Sequence, residues 1–243
     1  MAQERVEMEA TILPNGKLLV DGGSAQDEDA STASMKAEIY DPATNSFSSA
    51  GSNTFPRLYH NVQLLLPDAT VALTGGNPAQ GVFENHIEIY QPAYLFNSDG
   101  SLATRPTIGA NTPASVTYGG SFALPTPDAA NIASVVLMKA GSVTHSFDMD
   151  QRYVGLSFTT GSGSLTVTGP PNSNIAPPGY YMLFLVNNAG TPSLASWVQV
   201  SGPAAPIANV ELHPERVPTP RYVFQRKHVT ESALPMRKEM HVH

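Results

Sequence analysis

The sequence predicts an all-β protein, built from a repeated unit of four short strands and a following β-sandwich. Its composition favours this class, because only 14% of the 243 residues are charged while 19 are glycine and 21 are proline. Few charges and frequent turn residues suit short strands better than helices. Two stretches near the N terminus share one order of strands and turns, and no segment has a convincing helical period.

The first repeat unit begins with a hairpin around Pro14-Asn15-Gly16. Asn-Gly between apolar runs is the strongest short-range hairpin signal, because both turn positions favour positive φ. Asp21-Gly22-Gly23 is predicted to end this hairpin. Two further strands are predicted, at Ala37 to Tyr40 and around Phe47.

Residues 56–96 repeat that order. Leu64-Leu65-Leu66 turns at Pro67-Asp68, and the following strand stops at Gly75-Gly76 before another begins at Ile87. The two units give a period of about 50 residues with a double glycine, which is typical of kelch propeller blades. Because a propeller needs at least about four blades to close, residues 1–97 are predicted to be a partial propeller. The missing blades then lie outside this chain or come from another chain.

Residues 105–201 are predicted to form an immunoglobulin-like domain of about eight short strands, including one at Thr144 to Phe147 and one at Val154 to Phe158. This domain is expected to be independently stable, whereas residues 1–97 are not. Trp197 is expected to pack in the core or between domains. Residues 202–243 are Pro-rich, then charged, and are interpreted as a loosely ordered tail.

Several function classes are disfavoured by composition. The net charge is −7 without a basic stripe in the body, so nucleic acid is not an expected partner. The absence of cysteine excludes thiolate metal sites and cysteine nucleophiles. No apolar run reaches the roughly 18 residues of a membrane helix, and the first residues lack the apolar region of a signal peptide.

Three residues could carry chemistry together: the adjacent pair Tyr59-His60 and the distant His145. Neighbours in a strand point to opposite faces, so an adjacent pair is usually a core tyrosine beside a surface histidine. For both side chains to bind one metal, the pair must lie at a strand end or at a bulge. Tyr59 stands just before the apolar run, which allows a position at a strand end. Two imidazoles and a phenolate favour Cu(II) in a tetragonal site, and an oxidisable tyrosine beside it would permit two-electron oxidation of an alcohol or aldehyde.

Other candidates rank lower. The cluster Asp27-Glu28-Asp29 could bind Ca²⁺, although three acids in a polar loop more often form a solvated tip. Asp148 and Asp150 flank a possible hairpin tip and are expected to form turns rather than a catalytic carboxylate pair. His86 is expected to lie on the surface without a partner.

Five ordered segments resemble the copper-radical oxidases, the galactose oxidase and glyoxal oxidase group, and the similarity covers about residues 8–200. They are Pro56 to Asp68, Ile89 to Phe96, Thr104 to Pro106, Gly141 to Arg152 and Ala176 to Phe184. The resemblance corresponds to the last kelch-type blades of that family and its C-terminal immunoglobulin-like (early set, or E-set) domain.

The resemblance implies a role for each of the three residues. Tyr59 matches the axial tyrosine ligand, which accepts a proton from the substrate, and His60 and His145 match the two equatorial imidazole ligands of one copper ion. His145 would come from a hairpin of residues 105–201 that reaches up the propeller axis. The implied reaction oxidises a small alcohol, aldehyde or carbohydrate with O₂ and yields H₂O₂, and the implied location is extracellular.

The chain also departs from the family pattern. The family's radical-bearing tyrosine is cross-linked to a cysteine, and this chain has no cysteine. Ala69 stands where a glycine usually follows Leu-Pro-Asp, and Tyr153 stands where a second arginine is usual. The resemblance therefore implies the C-terminal portion of an oxidase, incomplete and inactive alone. The alternative to an oxidase is a non-catalytic module that binds glycans or another protein.

Overall fold

A computed structural model describes residues 1–202 and confirms the all-β prediction. Three single 3-10 turns are the only helical segments there, at Ala30–Thr32, Ala93–Leu95 and Ala129–Asn131. The strands, in chain order, are β1 (Val6–Ile12), β2 (Leu18–Ser24), β3 (Lys36–Asp41), β4 (Ser46–Ser52), β5 (Asn61–Leu65), β6 (Val71–Gly75), β7 (Ile87–Tyr90), β8 (Ser115–Thr117), β9 (Ser121–Pro125), β10 (Ile132–Lys139), β11 (Val143–Thr144), β12 (Phe147–Asp148), β13 (Arg152–Leu156), β14 (Phe158–Gly161), β15 (Ser164–Thr168), β16 (Gly179–Asn187) and β17 (Ser196–Ser201). All but the first residue of the predicted tail, 202–243, lies outside the described residues.

The first repeat unit is an antiparallel sheet in the order β1-β2-β3-β4. The predicted hairpin turn is present, because Ile12 pairs with Leu18 across a turn in which Gly16 has φ +81°. The predicted end of the hairpin at Gly22-Gly23 is wrong. Pairing continues through Gly22 to Ser24, so the double glycine lies inside the end of β2.

The second repeat unit has three strands, β5-β6-β7, where four were predicted. Among the described residues no fourth strand follows, because the chain leaves the sheet at Gln91-Pro92. Pro92 cannot donate to a strand ladder, and it begins the 3-10 turn Ala93–Leu95 instead.

The two sheets share one apolar core, and β1 lies beside β5. Leu13, Leu19 and Ala37 of the first unit pack against Val71 and Leu73 of the second. All five side chains are almost fully buried. This packing places the N-terminal ends of β1 and β5 near each other, which becomes important for the site.

Residues 105–201 form a sandwich of a five-stranded sheet, β13-β10-β16-β17-β8, and a three-stranded sheet, β14-β15-β9. The predicted single strand from Val154 to Phe158 is wrong, because it divides at Ser157 between the two sheets. The prediction that Trp197 is packed is also wrong, since 47% of its surface is exposed. Successive side chains of a strand point to opposite faces. Because Val198 points into the core, Trp197 points outward.

The outer face of the five-stranded sheet packs against the two blades. Val136, Met138, Met182 and Phe184 form a buried cluster with Ala69, and Ile12, Leu65 and Tyr94 pack on it. Two hydrogen bonds accompany this contact: the Tyr94 hydroxyl donates to the Ala69 carbonyl (2.6 Å), and the Ala195 N–H donates to the Pro67 carbonyl (2.8 Å). The sandwich is thereby held against the blades that carry Tyr59 and His60.

Candidate metal centre

Arg57 anchors the segment that leads into Tyr59 and His60. It is 1% exposed, and its guanidinium donates to the Glu88 carboxylate (2.8 Å) and to the carbonyls of Gly75 and His86 (both 3.0 Å). Its own carbonyl accepts from the Gly23 N–H (2.6 Å). A buried arginine with all these partners gives the backbone before β5 a single position.

The double glycines of both units allow this segment to approach closely. A Cβ added to Gly22 would lie 2.7 Å from the Arg57 carbonyl oxygen, and one added to Gly75 would lie 2.7 Å from the His60 carbonyl oxygen. Both distances are too short for a side chain, and both glycines have positive φ. The repeated glycines thus serve the backbone contact around the Tyr-His pair.

His60 has φ +127°, an uncommon value for a residue with a side chain. It stands directly before β5, which begins at Asn61. Because its backbone is not extended, the strand rule that separates neighbours to opposite faces does not apply. The rings of Tyr59 and His60 instead stack with centroids 3.8 Å apart and planes inclined by 26°.

His145 stands at the tip of a hairpin, as the resemblance implied, whereas the residue pattern predicted a single strand from Thr144 to Phe147. β11 and β12 pair antiparallel, with Thr144 opposite Phe147, so His145 and Ser146 form a two-residue turn. Their φ values are +53° and +59°, as a type I′ turn requires. Such a turn normally favours Asn-Gly, so the histidine here is held in a strained conformation.

The base of the hairpin is closed by Asp148. Its Oδ1 accepts from the N–H groups of Ser142 (2.9 Å), Asp150 (3.1 Å) and Gln151 (3.0 Å). The prediction that Asp148 forms a turn is confirmed. Gly141 is needed beside it, because an added Cβ would collide with the Asp148 carboxylate.

The structure brings all three predicted site residues together. The ring of His145 lies 4.6 Å from that of His60, edge-on at 89°, and 5.8 Å from that of Tyr59. Both histidines are exposed and Tyr59 is half-buried. The Nδ1 of His145 lies 2.6 Å from the Thr144 hydroxyl, so its Nε2 is the nitrogen left for a metal. Imidazole binds metals at about 2.0–2.1 Å, and ligand rings around one ion therefore lie within a few ångströms of each other, as these do.

The chemistry of this donor set fits a metal ion. Two imidazoles and a phenol oxygen on one small patch are a nitrogen and oxygen set of the kind that Cu(II) prefers. Among residues 1–202, no cluster of three or more histidine and acidic side chains has the geometry of a metal site. The candidate centre therefore depends on the tyrosine, and the role of Tyr59, His60 and His145 as ligands stays a prediction.

Acidic side chains lie beside this patch. Burial, with Asp27 and Glu28 nearby, raises the pKa of Glu7 to about 7, although the backbone N–H of Tyr59 acts in the opposite direction. The described residues give no support to the Ca²⁺ alternative, because Glu28 accepts from Asn77 (3.0 Å) and Asp29 caps the 3-10 turn at Ser31.

Two contacts near the site were missed from the sequence. The expectation that His86 has no partner is wrong: its ring stacks on Phe55 at 3.8 Å, and its Nδ1 lies 2.6 Å from the Glu84 carboxylate. Glu84, two residues before His86, was the feature of the sequence that could have indicated this contact. The buried role of Arg57 had a weaker signal, a charged residue two positions before Tyr59.

The sequence and the fold were compared with those of known proteins. Residues 105–200 match the family model described as the galactose oxidase-like early set domain. Over 198 residues the chain is 38% identical to galactose oxidase of Gibberella zeae, covering 79% of this chain and 29% of the relative. Residues 105–200 are therefore a galactose oxidase-like early set domain, and the chain is homologous to part of galactose oxidase. The resemblance predicted from the five segments is confirmed.

Other relatives carry related names. The aldehyde oxidase GLOX of Vitis pseudoreticulata is 34% identical over 220 residues, covering 81% of this chain and 41% of the relative. A fungal alcohol oxidase of the AA5 family, solved in complex with copper, superposes with a TM-score of 0.76 at 32% identity, covering 83% of this chain and 43% of that one. The chain thus spans less than half the length of these relatives.

The described part of the chain holds no helix long and apolar enough to span a membrane.

Proposed function

We propose that this chain is the C-terminal portion of a copper-dependent oxidase of primary alcohols or aldehydes, with Tyr59, His60 and His145 as its metal ligands. The convergence of these three rings from two separate segments carries the proposal. In the usual arrangement of an adjacent pair, Tyr59 would lie in the core, His60 would lie on the surface, and His145 would be elsewhere. The printed names of the galactose oxidase, aldehyde oxidase and copper-bound alcohol oxidase relatives support the reaction class.

In the proposed reaction an alcohol and O₂ give an aldehyde and H₂O₂, or an aldehyde, water and O₂ give a carboxylic acid and H₂O₂. Copper, when bound, would supply a redox-active Lewis acid. His60 and His145 would hold it through neutral imidazole nitrogens. The phenol oxygen of Tyr59 would take the proton from the substrate hydroxyl, which requires its deprotonated form.

The chain is proposed to be inactive by itself. It has no cysteine for the cross-linked radical tyrosine that the family uses, and it spans only 29% of the galactose oxidase that it matches. An extracellular location is part of the same proposal.

Copper binding can be tested directly. One equivalent of Cu(II) added to the full chain is expected to give a tetragonal, nitrogen-ligated electron paramagnetic resonance spectrum. The His145→Ala variant is expected to lose the couplings of one imidazole and to bind Cu(II) at least about tenfold more weakly. Deletion of residues 203–243, which contain four histidines, is expected to leave the spectrum unchanged.

His86→Ala is the matched control, because His86 is an exposed histidine with no part in the candidate centre. It is expected to bind Cu(II) as the wild type does. A spectrum that follows the C-terminal histidines, or that His145→Ala does not change, would contradict the ligand assignment and would favour the non-catalytic binding module.

A further inference from the structure

The side-chain amide of Gln151 completes the free edge of β1. Its Nε2 donates to the Ala10 carbonyl at 2.7 Å, and its Oε1 accepts from the Ile12 N–H at 2.9 Å. β1 is the end strand of its sheet, so these two backbone groups point away from β2. One amide thus satisfies a donor and an acceptor of the edge, as a peptide group of a neighbouring strand would.

Gln151 is also tied to the base of the hairpin that carries His145. Its backbone N–H donates to Asp148 Oδ1 (3.0 Å), and the same oxygen accepts from the Ser142 N–H on the other side of the hairpin (2.9 Å). A continuous set of hydrogen bonds therefore links β1 to both ends of the hairpin. The contact joins residues that are 139 and 141 positions apart in the chain.

This connection matters because the three rings come from two segments. Tyr59 and His60 are held by the backbone before β5, which lies beside β1, whereas His145 belongs to residues 105–201. β11 and β12 have only two residues each, and isolated two-stranded hairpins are marginally stable. The distance of His145 from the other two rings therefore depends on two contacts of the hairpin: β11 lies beside β5, and the hairpin base is attached to β1.

We propose that Gln151 is a positioning residue of the candidate metal centre. By binding Ala10 and Ile12, its amide holds the hairpin base on β1 and keeps the His145 ring within reach of Tyr59 and His60. The effect on a metal rests on the function proposed above, whereas the effect on ring packing does not. The apolar cluster around Val136, Met138 and Phe184 joins the sandwich to the blades independently, so loss of Gln151 leaves that packing in place.

The test uses the full chain with Gln151→Met, which keeps the side-chain length and removes both hydrogen bonds. Gln199→Met is the matched control, because Gln199 is exposed on β17. In the metal-free protein, nuclear Overhauser contacts between the His145 ring and the rings of Tyr59 and His60 are expected to weaken severalfold in Gln151→Met only. The methyl signals of Met138 and Met182 are expected to stay unchanged.

Cu(II) affinity is the second measurement. Partners that orient metal ligands typically change affinity by about 10–100-fold when removed, and Gln151→Met is expected to fall in this range while Gln199→Met matches the wild type. Should Gln151→Met not fold, Gln151→Glu provides the test. It keeps an acceptor for Ile12, faces the Ala10 carbonyl with an oxygen, and is expected to weaken the ring contacts as well.

The outcomes separate the two proposals. Unchanged ring contacts in a folded Gln151→Met or Gln151→Glu variant would overturn the positioning role. A second outcome is that the wild-type protein binds no Cu(II) at His145 while the variant still loses the ring contacts. That result would uphold the positioning role and reject the proposed function. Loss of contacts together with loss of affinity would support both.

Discussion

Glu9 is a carboxylic acid buried in the middle of a strand. Only 3% of its surface is exposed, and its Oε1 has no hydrogen-bond partner among the described residues. Burial, and to a smaller extent the nearby Asp148 carboxylate, raises the pKa of Glu9 to about 7 from 4.5. Asp21, opposite Glu9 on β2, is also buried, and its pKa is raised to about 6.

These raised pKa values make folding stability fall as pH rises. Between about pH 4.5 and 7 the folded protein keeps a proton on Glu9 that the unfolded chain has released, so the free energy of unfolding decreases through this window. The Glu9→Gln variant cannot ionise. At pH 8 it is expected to be more stable than the wild type by about 2 kcal/mol, with equal stability near pH 4, as measured by urea unfolding.

Glu4→Gln is the control for that comparison, because Glu4 is exposed and its substitution should leave the pH profile of stability unchanged. A Glu9→Gln variant whose stability falls between pH 4.5 and 7 as steeply as that of the wild type would contradict the assignment to Glu9. A smaller remaining slope is expected from Asp21 and Glu7, whose pKa values are also raised.

The end of β6 and the start of β5 depend on each other at the scale of the element. Gly75 has φ +71°, and its missing side chain leaves room for the His60 carbonyl. A residue with a side chain at position 75 would destabilise the protein in two ways. It would adopt an unfavourable left-handed backbone conformation, and it would collide with the backbone that Arg57 holds in place. Gly100 has a similar φ, +83°, but an added Cβ would meet nothing within 4 Å.

Gly75→Ala is therefore expected to destabilise the protein by about 3 kcal/mol, and Gly100→Ala by about 1 kcal/mol. Thermal unfolding measures both, and the difference isolates the collision. Gly75→Ala is also expected to move His60 and weaken Cu(II) binding, whereas Gly100→Ala should not. Equal destabilisation by the two variants would show that the close approach at His60 is not needed.

At the scale of the whole molecule, the two parts differ in how well they cover their apolar surface. The sandwich encloses a large core in which Val135, Leu137 and Leu183 are fully buried. The second blade leaves one face uncovered, with Ile87 and Ile89 exposed by 69% and 49%. A three-stranded sheet with one bare apolar face is not expected to be stable alone.

Limited proteolysis tests that difference. The connection around Asp99-Gly100 is exposed, and cleavage there is expected to be followed by digestion of residues 1–97. A resistant core of about residues 105–201 should remain, identified by mass spectrometry. Resistance of the first 202 residues as one piece would mean that the packing of the blades on Met138 and Phe184 is strong enough to protect both parts.

Much of the fold was predictable because its signals are local. Asn15-Gly16 predicts its hairpin, because only residues of this kind easily adopt the positive φ values that the turn requires. Failures occurred where tertiary contacts decide. The residue pattern predicted a strand across His145, where the structure has a turn. Among the described residues, the absence of a fourth strand after Tyr90 depends on where the chain leaves the sheet.

The sequence by itself determined the all-β class, the repeat, the family and the three candidate ligands, because turn chemistry, periodicity and ordered motifs are written in neighbouring residues. Only the tertiary structure decided that those ligands meet. Tyr59 and His60 share one side because His60 leaves the extended conformation, and His145 reaches them because Asp148 and Gln151 attach its hairpin to β1. Contacts between segments so far apart depend on packing and hydrogen bonds, which no local pattern encodes.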